Sequence, residues 1–277
     1  MPEIIAYPGT SGSFSEAAAR KAFPEGECVG YATFQQAAQA VVEHQADYAL
    51  LPVENSFAGA VLPTYSLLEK LPLHIVAETV KPVRHQLLGV PGARLEDIRQ
   101  IASHPQAIAQ CDDFLATLRD VQIIPSANTA ISAREVAEKG DPTFAAIASE
   151  EAAAAFGLSI LRANIHTSDS NTTRFFILSA FASPLAAPVK ATVVFTVNNE
   201  VGALVRVLES FARSGLNMSR IESRPLPDTA FAYFFSADFE GPMDPAHLNR
   251  AMVAARPYTR DLRLLGVYPT GYGLDAE

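Results

Sequence analysis

Long apolar runs are missing from this chain of 277 residues. Charges or prolines interrupt every hydrophobic stretch well before the ~18 residues needed to span a bilayer, so no membrane-crossing helix is expected. The first residues, Met1-Pro2-Glu3-Ile4-Ile5-Ala6-Tyr7, lack the basic flank and extended apolar segment of a secretion signal. They read as a first strand, and the cytoplasm is the expected location. Cysteine is almost absent. Cys28 and Cys111 cannot build a disulfide framework, and two reduced thiols fit the same compartment. Positive charge is in deficit: 21 Lys and Arg against 30 Asp and Glu give a net charge of −9. That disfavours nucleic acid, which needs a basic surface to neutralise its phosphates. An anionic substrate would need a local cluster of positive and N–H groups in a cleft, set against the global field.

Familiar catalytic signatures are missing too. His44, His74, His85, His104, His166 and His247 show no metal-ligand spacing, and the two cysteines lie far apart. There is no Gly-x-Ser-x-Gly elbow. No lysine sits in an evident cofactor context. The reaction, if there is one, is expected to need neither metal nor organic cofactor.

What is present is a globular composition, 49% hydrophobic and 18% charged, in a chain long enough for two structural units. Residues 180–190 are small, proline-containing and without period, and read as a linker. Before them, short β-type runs alternate with Ala-rich helical runs, as in α/β proteins. Strands are expected at Ile4–Tyr7, Tyr48–Pro52, Leu73–Val80, Ile98–Ser103, Val121–Pro125, Phe144–Ala148 and Thr173–Ala180. Helices are expected between them, among them one from about Pro105 to Leu118. Ser13 with Glu16, and Ser103 with Gln106, have the spacing of capping boxes. After the linker come strand Ala191–Val197, helix Gly202–Ser214, strands Met218–Arg224 and Thr229–Phe239, helix Ala246–Ala255 and strand Leu262–Tyr268. This βαββαβ order is a ferredoxin-like module, too short for a deep catalytic pocket of its own.

Four segments are more polar than packing requires, and each lies at a strand end or helix start, where open α/β sheets bind ligands. Gly9-Thr10-Ser11-Gly12-Ser13-Phe14-Ser15 opens a helix, but it is neither a Gly-Lys-Ser/Thr phosphate loop nor a three-glycine dinucleotide fingerprint. By itself it fits a plain cap and turn. Pro52-Val53-Glu54-Asn55-Ser56 delivers three polar residues from a strand, and Ser103-His104-Pro105-Gln106 places a histidine before a helix. Ser168-Asp169-Ser170-Asn171-Thr172-Thr173-Arg174-Phe175 runs seven polar residues into an apolar strand. Arg174 there either pairs with an internal carboxylate or awaits one from a ligand.

Taken in order, these segments resemble the prephenate dehydratase family. The matching stretches are Gly12-Ser13-Phe14-Ser15-Glu16-Ala17-Ala18, Pro52-Val53-Glu54-Asn55-Ser56 with Gly59, Ser103-His104-Pro105-Gln106-Ala107 with Ala109-Gln110-Cys111, and Asn171-Thr172-Thr173-Arg174-Phe175. The last third is similar to that family's ACT domain at Gly202-Ala203-Leu204, Ile221-Glu222-Ser223-Arg224-Pro225 and Leu265-Gly266-Val267-Tyr268-Pro269. Ser13 stands where the family usually has Thr, and Val201 where it usually has Pro.

The resemblance implies a bilobal catalytic domain over residues 1–182, like type II periplasmic binding proteins. One lobe would span about 1–80 and 167–182, the other about 82–165, with an ACT regulatory domain over 189–270. It implies decarboxylating dehydration of prephenate to phenylpyruvate, without a cofactor, under control by phenylalanine. Thr173 would act at the leaving hydroxyl, with Glu54 and His104 as proton sources. Arg174 would clamp a carboxylate, and Ser11, Ser13, Asn55, Ser56, Gln106, Thr172 and Phe175 would complete the substrate site. Phenylalanine would sit near Gly202, Ala203, Leu204, Asn217, Glu222, Ser223, Arg224 and Pro225, in a homodimer or homotetramer joined through ACT domains. Two alternatives remain open: dehydration of arogenate, the amino analogue, or an aromatic-acid sensor without turnover.

Overall fold

The computed structural model describes residues 2–185, 187–225, 233–241 and 243–272. The chain begins with β1 (Ile4–Pro8), α1 (Phe14–Ala22), β2 (Glu27–Tyr31), α2 (Phe34–Val42), β3 (Tyr48–Asn55), β4 (Gly59–Ala60), α3 (Leu62–Lys70) and β5 (His74–Pro82). It then crosses to a second lobe with β6 (Gln86–Gly89), β7 (Gln100–Ser103), α4 (Pro105–Ala109), α5 (Asp112–Leu115), β8 (Gln122–Pro125), α6 (Thr129–Lys139), β9 (Phe144–Ala148), α7 (Glu150–Phe156) and β10 (Ser159–Arg162). It returns to the first lobe as β11 (Thr172–Ser179). The first sheet has the order β2-β1-β3-β11-β5, with β4 on β3, and the second has the order β10-β6-β9-β7-β8. Central strands such as β9, Phe-Ala-Ala-Ile-Ala, are buried throughout, because helices cover both faces of such sheets.

Two stretches cross between the lobes and brace each other. The Val83 amide donates to the Asn171 carbonyl at 2.8 Å, and the Ile165 amide to the His85 carbonyl at 2.9 Å. The lobes also meet at Gly12, whose φ of +78° suits glycine. A Cβ there would stand 2.7 Å from the Cα of Ala152, and the Ser149 hydroxyl donates to the Gly12 carbonyl at 2.8 Å.

The last third contains β12 (Lys190–Val197), α8 (Ala203–Arg213), β13 (Asn217–Pro225), β14 (Tyr233–Glu240), α9 (Pro245–Ala255) and β15 (Thr259–Tyr268). Its antiparallel order β13-β14-β12-β15 is that of a ferredoxin-like module. Val207 and Phe211 of α8 and Leu248 and Ala251 of α9 pack on one face of this sheet. The other face is not solvated. Val194, Phe234, Leu265 and Tyr268 join the core of the first lobe, together with Tyr65 and Phe176. Gly266 makes the approach possible, since a Cβ there would lie 2.0 Å from the Ile75 carbonyl oxygen.

Several elements depart from expectation. The helix expected over 105–118 breaks at Cys111, which is non-helical (φ −122°) and separates α4 from α5. The second capping box does not form. Ser103 is fully buried and donates to the Ile147 carbonyl, and the His104 ring nitrogen caps Gln106 instead. In the first box Ser13 caps Glu16, but the Glu16 carboxylate reaches Gly12 rather than Ser13. Strands β2, β4, β6 and β10, of two to five residues, carry too little pattern to be read. The strand expected from Thr229 is observed from Tyr233, and residues 229–232 lie outside the described residues, as does residue 186 of the linker.

Candidate functional site

A cleft of about 300 Å³ opens between the lobes. Its floor is the β3–β11 pair, in which Thr173 lies opposite Asn55 and Arg174 opposite Glu54. Alternation along a strand sends successive side chains to opposite faces. Thr173 and Phe175 face the cleft, whereas Arg174 lies over the Phe176 ring on the far face. Larger cavities of about 560 Å³ between α8 and α9, 640 Å³ beside α9 and 480 Å³ near Lys81 and Glu151 contain none of the expected catalytic residues.

No Asp, Glu, Lys or Arg is among the residues lining this cleft. Helix starts surround it instead: Phe14 and Ser15 of α1, Phe34 of α2, Gln106 of α4 after its cap His104, and Thr129 of α6 after its cap Asn128. The first N–H groups of a helix have no intrahelical partner and carry partial positive charge, so several of them together attract an anion without a cationic side chain.

A chain of neutral hydrogen bonds with a fixed direction runs from the floor into the hinge. The Phe57 and Ala58 amides both donate to Asn55 Oδ1, at 3.1 and 3.0 Å. Asn55 Nδ2 must therefore be the donor, to Asn171 Oδ1 at 2.8 Å and Thr173 Oγ1 at 3.0 Å. Asn171 Nδ2 then donates to Gln110 Oε1 at 2.9 Å. The same oxygen lies 2.8 Å from His85 Nε2, which must carry the hydrogen. Two consequences follow. Thr173 accepts from the protein, so its own O–H is free to donate into the cleft. His85 is the Nε2–H tautomer, and its Nδ1 is a bare, buried acceptor without a partner among the described residues. Burial pushes the His85 pKa below the ordinary histidine value, against the opposing bond to Gln110.

Of the expected site residues, Thr173, His104, Asn55, Gln106 and Phe175 line the cleft. Gln106 Nε2 lies 3.5 Å from Asn55 Oδ1, at the limit of hydrogen bonding across the two lobes. Ser13 acts as the α1 cap, and Ser11 is exposed in the preceding turn. Ser56 and Thr172 hold the turn: Ser56 Oγ accepts from the Thr172 amide and donates to the Ser170 carbonyl.

Arg174 and Glu54 require correction. The Arg174 guanidinium, 13% exposed, lies 2.8 Å from Asp238, 3.1 Å from Glu78 and 3.1 Å from Glu54. Burial works to lower its pKa, but Asp238 and then Glu78 outweigh this and hold it above the ordinary arginine value. An arginine already enclosed by three carboxylates on the far face of the strand is no substrate clamp. Glu54 belongs to the same cluster, between Arg174 and Arg220 at 3.4 Å, and is no proton source for the cleft.

The effector residues also divide. Gly202, Ala203 and Leu204 open α8, and Glu222, Ser223, Arg224 and Pro225 end β13. Asn217 begins β13, seven residues before Arg224, or about 23 Å away at strand rise. Arg224 is not free for an effector carboxylate, since it donates to Ser66 Oγ at 2.9 Å and lies 3.7 Å from Glu69.

Sequence reasoning missed His85, Gln110, Asn128, Thr129, Phe14 and Asn171. Phe14, Gln110 and Asn171 lay inside matched motifs and could have been found there. His85, in Val83-Arg84-His85-Gln86, carries no local signal.

The profile of the prephenate dehydratase family matches residues 5–182. An arogenate dehydratase/prephenate dehydratase of Arabidopsis thaliana is 39% identical over 283 residues, covering 96% of this chain and 71% of that protein. A bifunctional N-acyl-homoserine lactone acylase/prephenate dehydratase of Komagataeibacter europaeus is 38% identical over 269 residues, covering 96% and 95% of the two chains. Among solved structures, a prephenate dehydratase from Arthrobacter aurescens in complex with L-Phe superposes with a TM-score of 0.88 at 31% identity, covering 99% of this chain and 92% of that one.

Proposed function

Because this chain belongs to the prephenate dehydratase family, and so to a family of lyase-type enzymes, we propose that it converts prephenate to phenylpyruvate, water and carbon dioxide under allosteric control by phenylalanine. One observation carries this reading: Asn55 occupies the acceptor side of Thr173 from within the protein, leaving the Thr173 hydroxyl as a donor in a cleft whose described lining holds no cationic side chain. In the reaction the ring carboxylate departs as carbon dioxide, its electron pair moves through the ring, and the hydroxyl at the far carbon leaves. Hydroxide is a poor leaving group, so a donor at that oxygen lowers the barrier. Thr173 supplies a hydrogen bond there as negative charge develops. An alcohol is too weak an acid to be the final source. With Glu54 engaged elsewhere, His104 is the second donor in the cleft: its Nδ1 accepts from the Gln106 amide at 3.2 Å, so its Nε2–H can add a hydrogen bond to the leaving oxygen, and the proton that completes water comes from solvent.

The missing arginine clamp fits the chemistry. A cation on the departing carboxylate would stabilise the ground state more than the transition state and slow the step. Helix N–H groups hold the side-chain carboxylate more gently, while Phe14, Phe34 and Phe175 leave the ring carboxylate poorly hydrated.

For control, the start of α8 and the end of β13 form the effector region. Val201, Val205 and Ile221 are exposed on these elements, at 99%, 66% and 37%, and β13 is an edge strand. Such an apolar edge calls for a second copy, and a homodimer or homotetramer is the reading it supports. Arogenate is the second substrate candidate. A cleft whose described lining holds no cationic side chain suits a substrate of lower net negative charge. Parallel assays with prephenate and arogenate, following phenylpyruvate and phenylalanine, decide between them. Turnover of neither would leave a sensor and end the enzymatic reading.

A further inference from the structure

We propose that Arg174 is a positioning residue for Thr173, and that Asp238 of the C-terminal domain sets where it stands. The inference rests on the reading that Thr173 acts at the leaving oxygen. Arg174, Lys190 and Arg220 face Glu54, Glu78 and Asp238 in one cluster, with Glu240 and Glu222 at its edge, each 3.5 Å from Lys190 and Arg220 respectively. Asp238 is fully buried and Glu78 is 6% exposed at its side chain, so each charge depends on the others for compensation.

The cluster spans two sheets. Glu54, Glu78 and Arg174 lie on β3, β5 and β11, while Lys190, Arg220 and Asp238 lie on β12, β13 and β14. On the first-lobe side, two members adjoin cleft residues in sequence. Glu54 precedes Asn55, Arg174 follows Thr173, and the four pair across one ladder. A strand is too stiff for Arg174 to shift without carrying Thr173 with it. On the other side, Asp238 is held by Thr192 Oγ1 at 2.8 Å, and Arg220 lies two residues before Glu222 on β13. The strand that carries the proposed effector residues thus reaches Glu54 on β3, whose carboxylate also pairs Arg174 beside Thr173 on β11.

The cluster is also under-bonded. Among the described residues, Arg174 Nε and Nη2 and all three Arg220 guanidinium nitrogens make no hydrogen bond of good geometry, although Glu54 lies 3.1 and 3.4 Å away. A buried network that leaves donors unused has other arrangements open to it, and a small shift of β13 and β14 would re-sort these contacts. The C-terminal domain therefore acts on the cleft by charge as well as by packing.

The test is a double-mutant cycle in the full chain, with Asp238→Asn and Thr173→Val made singly and together. A merely structural Asp238 would lower both backgrounds alike. A positioning role predicts that Asp238→Asn lowers kcat by about tenfold with KM within about twofold, and adds less than about twofold once Thr173 is replaced. Arg220→Gln, nearer the rim, should repeat the pattern more weakly and change the phenylalanine concentration for half-maximal effect. It carries the cycle alone should Asp238→Asn fail to melt cooperatively. Multiplicative losses, or an effect confined to KM, would overturn the proposal. Loss of turnover by the unmodified chain would instead strike the dehydratase reading itself.

Discussion

Replacing Thr173 by valine tests the core of the proposed mechanism, because it removes one oxygen and little else. Valine matches threonine in shape and suits a strand. The direct structural loss is the bond from Asn55 Nδ2 at 3.0 Å, and that nitrogen keeps Asn171 Oδ1 at 2.8 Å. Its cost to stability should thus stay near or below about 1 kcal/mol, a melting shift of about 2–4 °C for a chain of this size. The catalytic loss should be larger. Removing an oriented donor from a developing negative charge costs about 10²–10³ in rate. A single neutral hydroxyl falls at the low end, so kcat should drop about a hundredfold, or ~2.7 kcal/mol. KM should hardly change, since the bond strengthens only as the hydroxyl leaves. Thr173→Ser keeps the oxygen and should recover most of the rate. The assay is phenylpyruvate formation from prephenate by ultraviolet absorbance, beside a thermal melt. Turnover unchanged in the valine variant, or a serine variant as slow as the valine one, would refute the argument.

Three further outcomes follow. Gly12→Ala puts a Cβ 2.7 Å from the Cα of Ala152 at a φ of +78°, so the lobes should no longer meet there; KM should rise and the melting midpoint fall by about 2–6 °C, and a wild-type melt and KM would show the contact to be dispensable. His85 is held neutral by burial, with its pKa below the usual value. Its contribution to stability is complete above about pH 6.5, where the unfolded chain is neutral too, and is lost as pH falls and only the unfolded chain takes the proton. Melts between about pH 5 and 7.5 should show His85→Phe flattening that decline, and parallel profiles would remove His85 as its source. Lys81→Met breaks the 2.7 Å bond to Glu151 across the lobes. Both partners are part-exposed, so the cost should be below about 1 kcal/mol in stability, and any effect should appear as a rise in KM at low salt that narrows as added salt screens the pair in the wild type.

The architecture was largely legible because its signals are local. Period-2 runs, Ala-rich helical stretches and glycine stops marked most strands and helices, and the βαββαβ order of the last third was complete in outline. The failures come where local signals are absent or overridden. A four-residue strand such as Gln86–Gly89 is set by its neighbours β9 and β10 rather than by its own sequence. The break at Cys111 has no glycine or proline to announce it. Histidine as the cap of α4 was unforeseen because Ser103 looked like the better cap. The buried Ile147 carbonyl claims that hydroxyl, and no sequence shows which distant carbonyl needs a donor.

Arg174 shows where the reading of a motif has to give way to strand geometry. Adjacent residues in a strand face opposite ways, so Thr173 and Arg174 cannot both project into one cleft unless a bulge lies between them. The register shift in this ladder comes after Arg174, between it and Phe175, which leaves Thr173 and Arg174 in strict alternation. Parity alone thus permits one of the pair in the site, and the polarity of the Asn55 bond selects Thr173. What parity could not reveal is the company on the far face. All three carboxylates around Arg174 sit on other strands, Glu54 on the paired β3, Glu78 on β5 and Asp238 on β14, the last 64 residues away and beyond the linker. A charge next to an apolar wall was legible; its neutralisation by a domain that folds against the back of the sheet was not. That same fact turns a residue assigned to substrate into one of the contacts between the two domains.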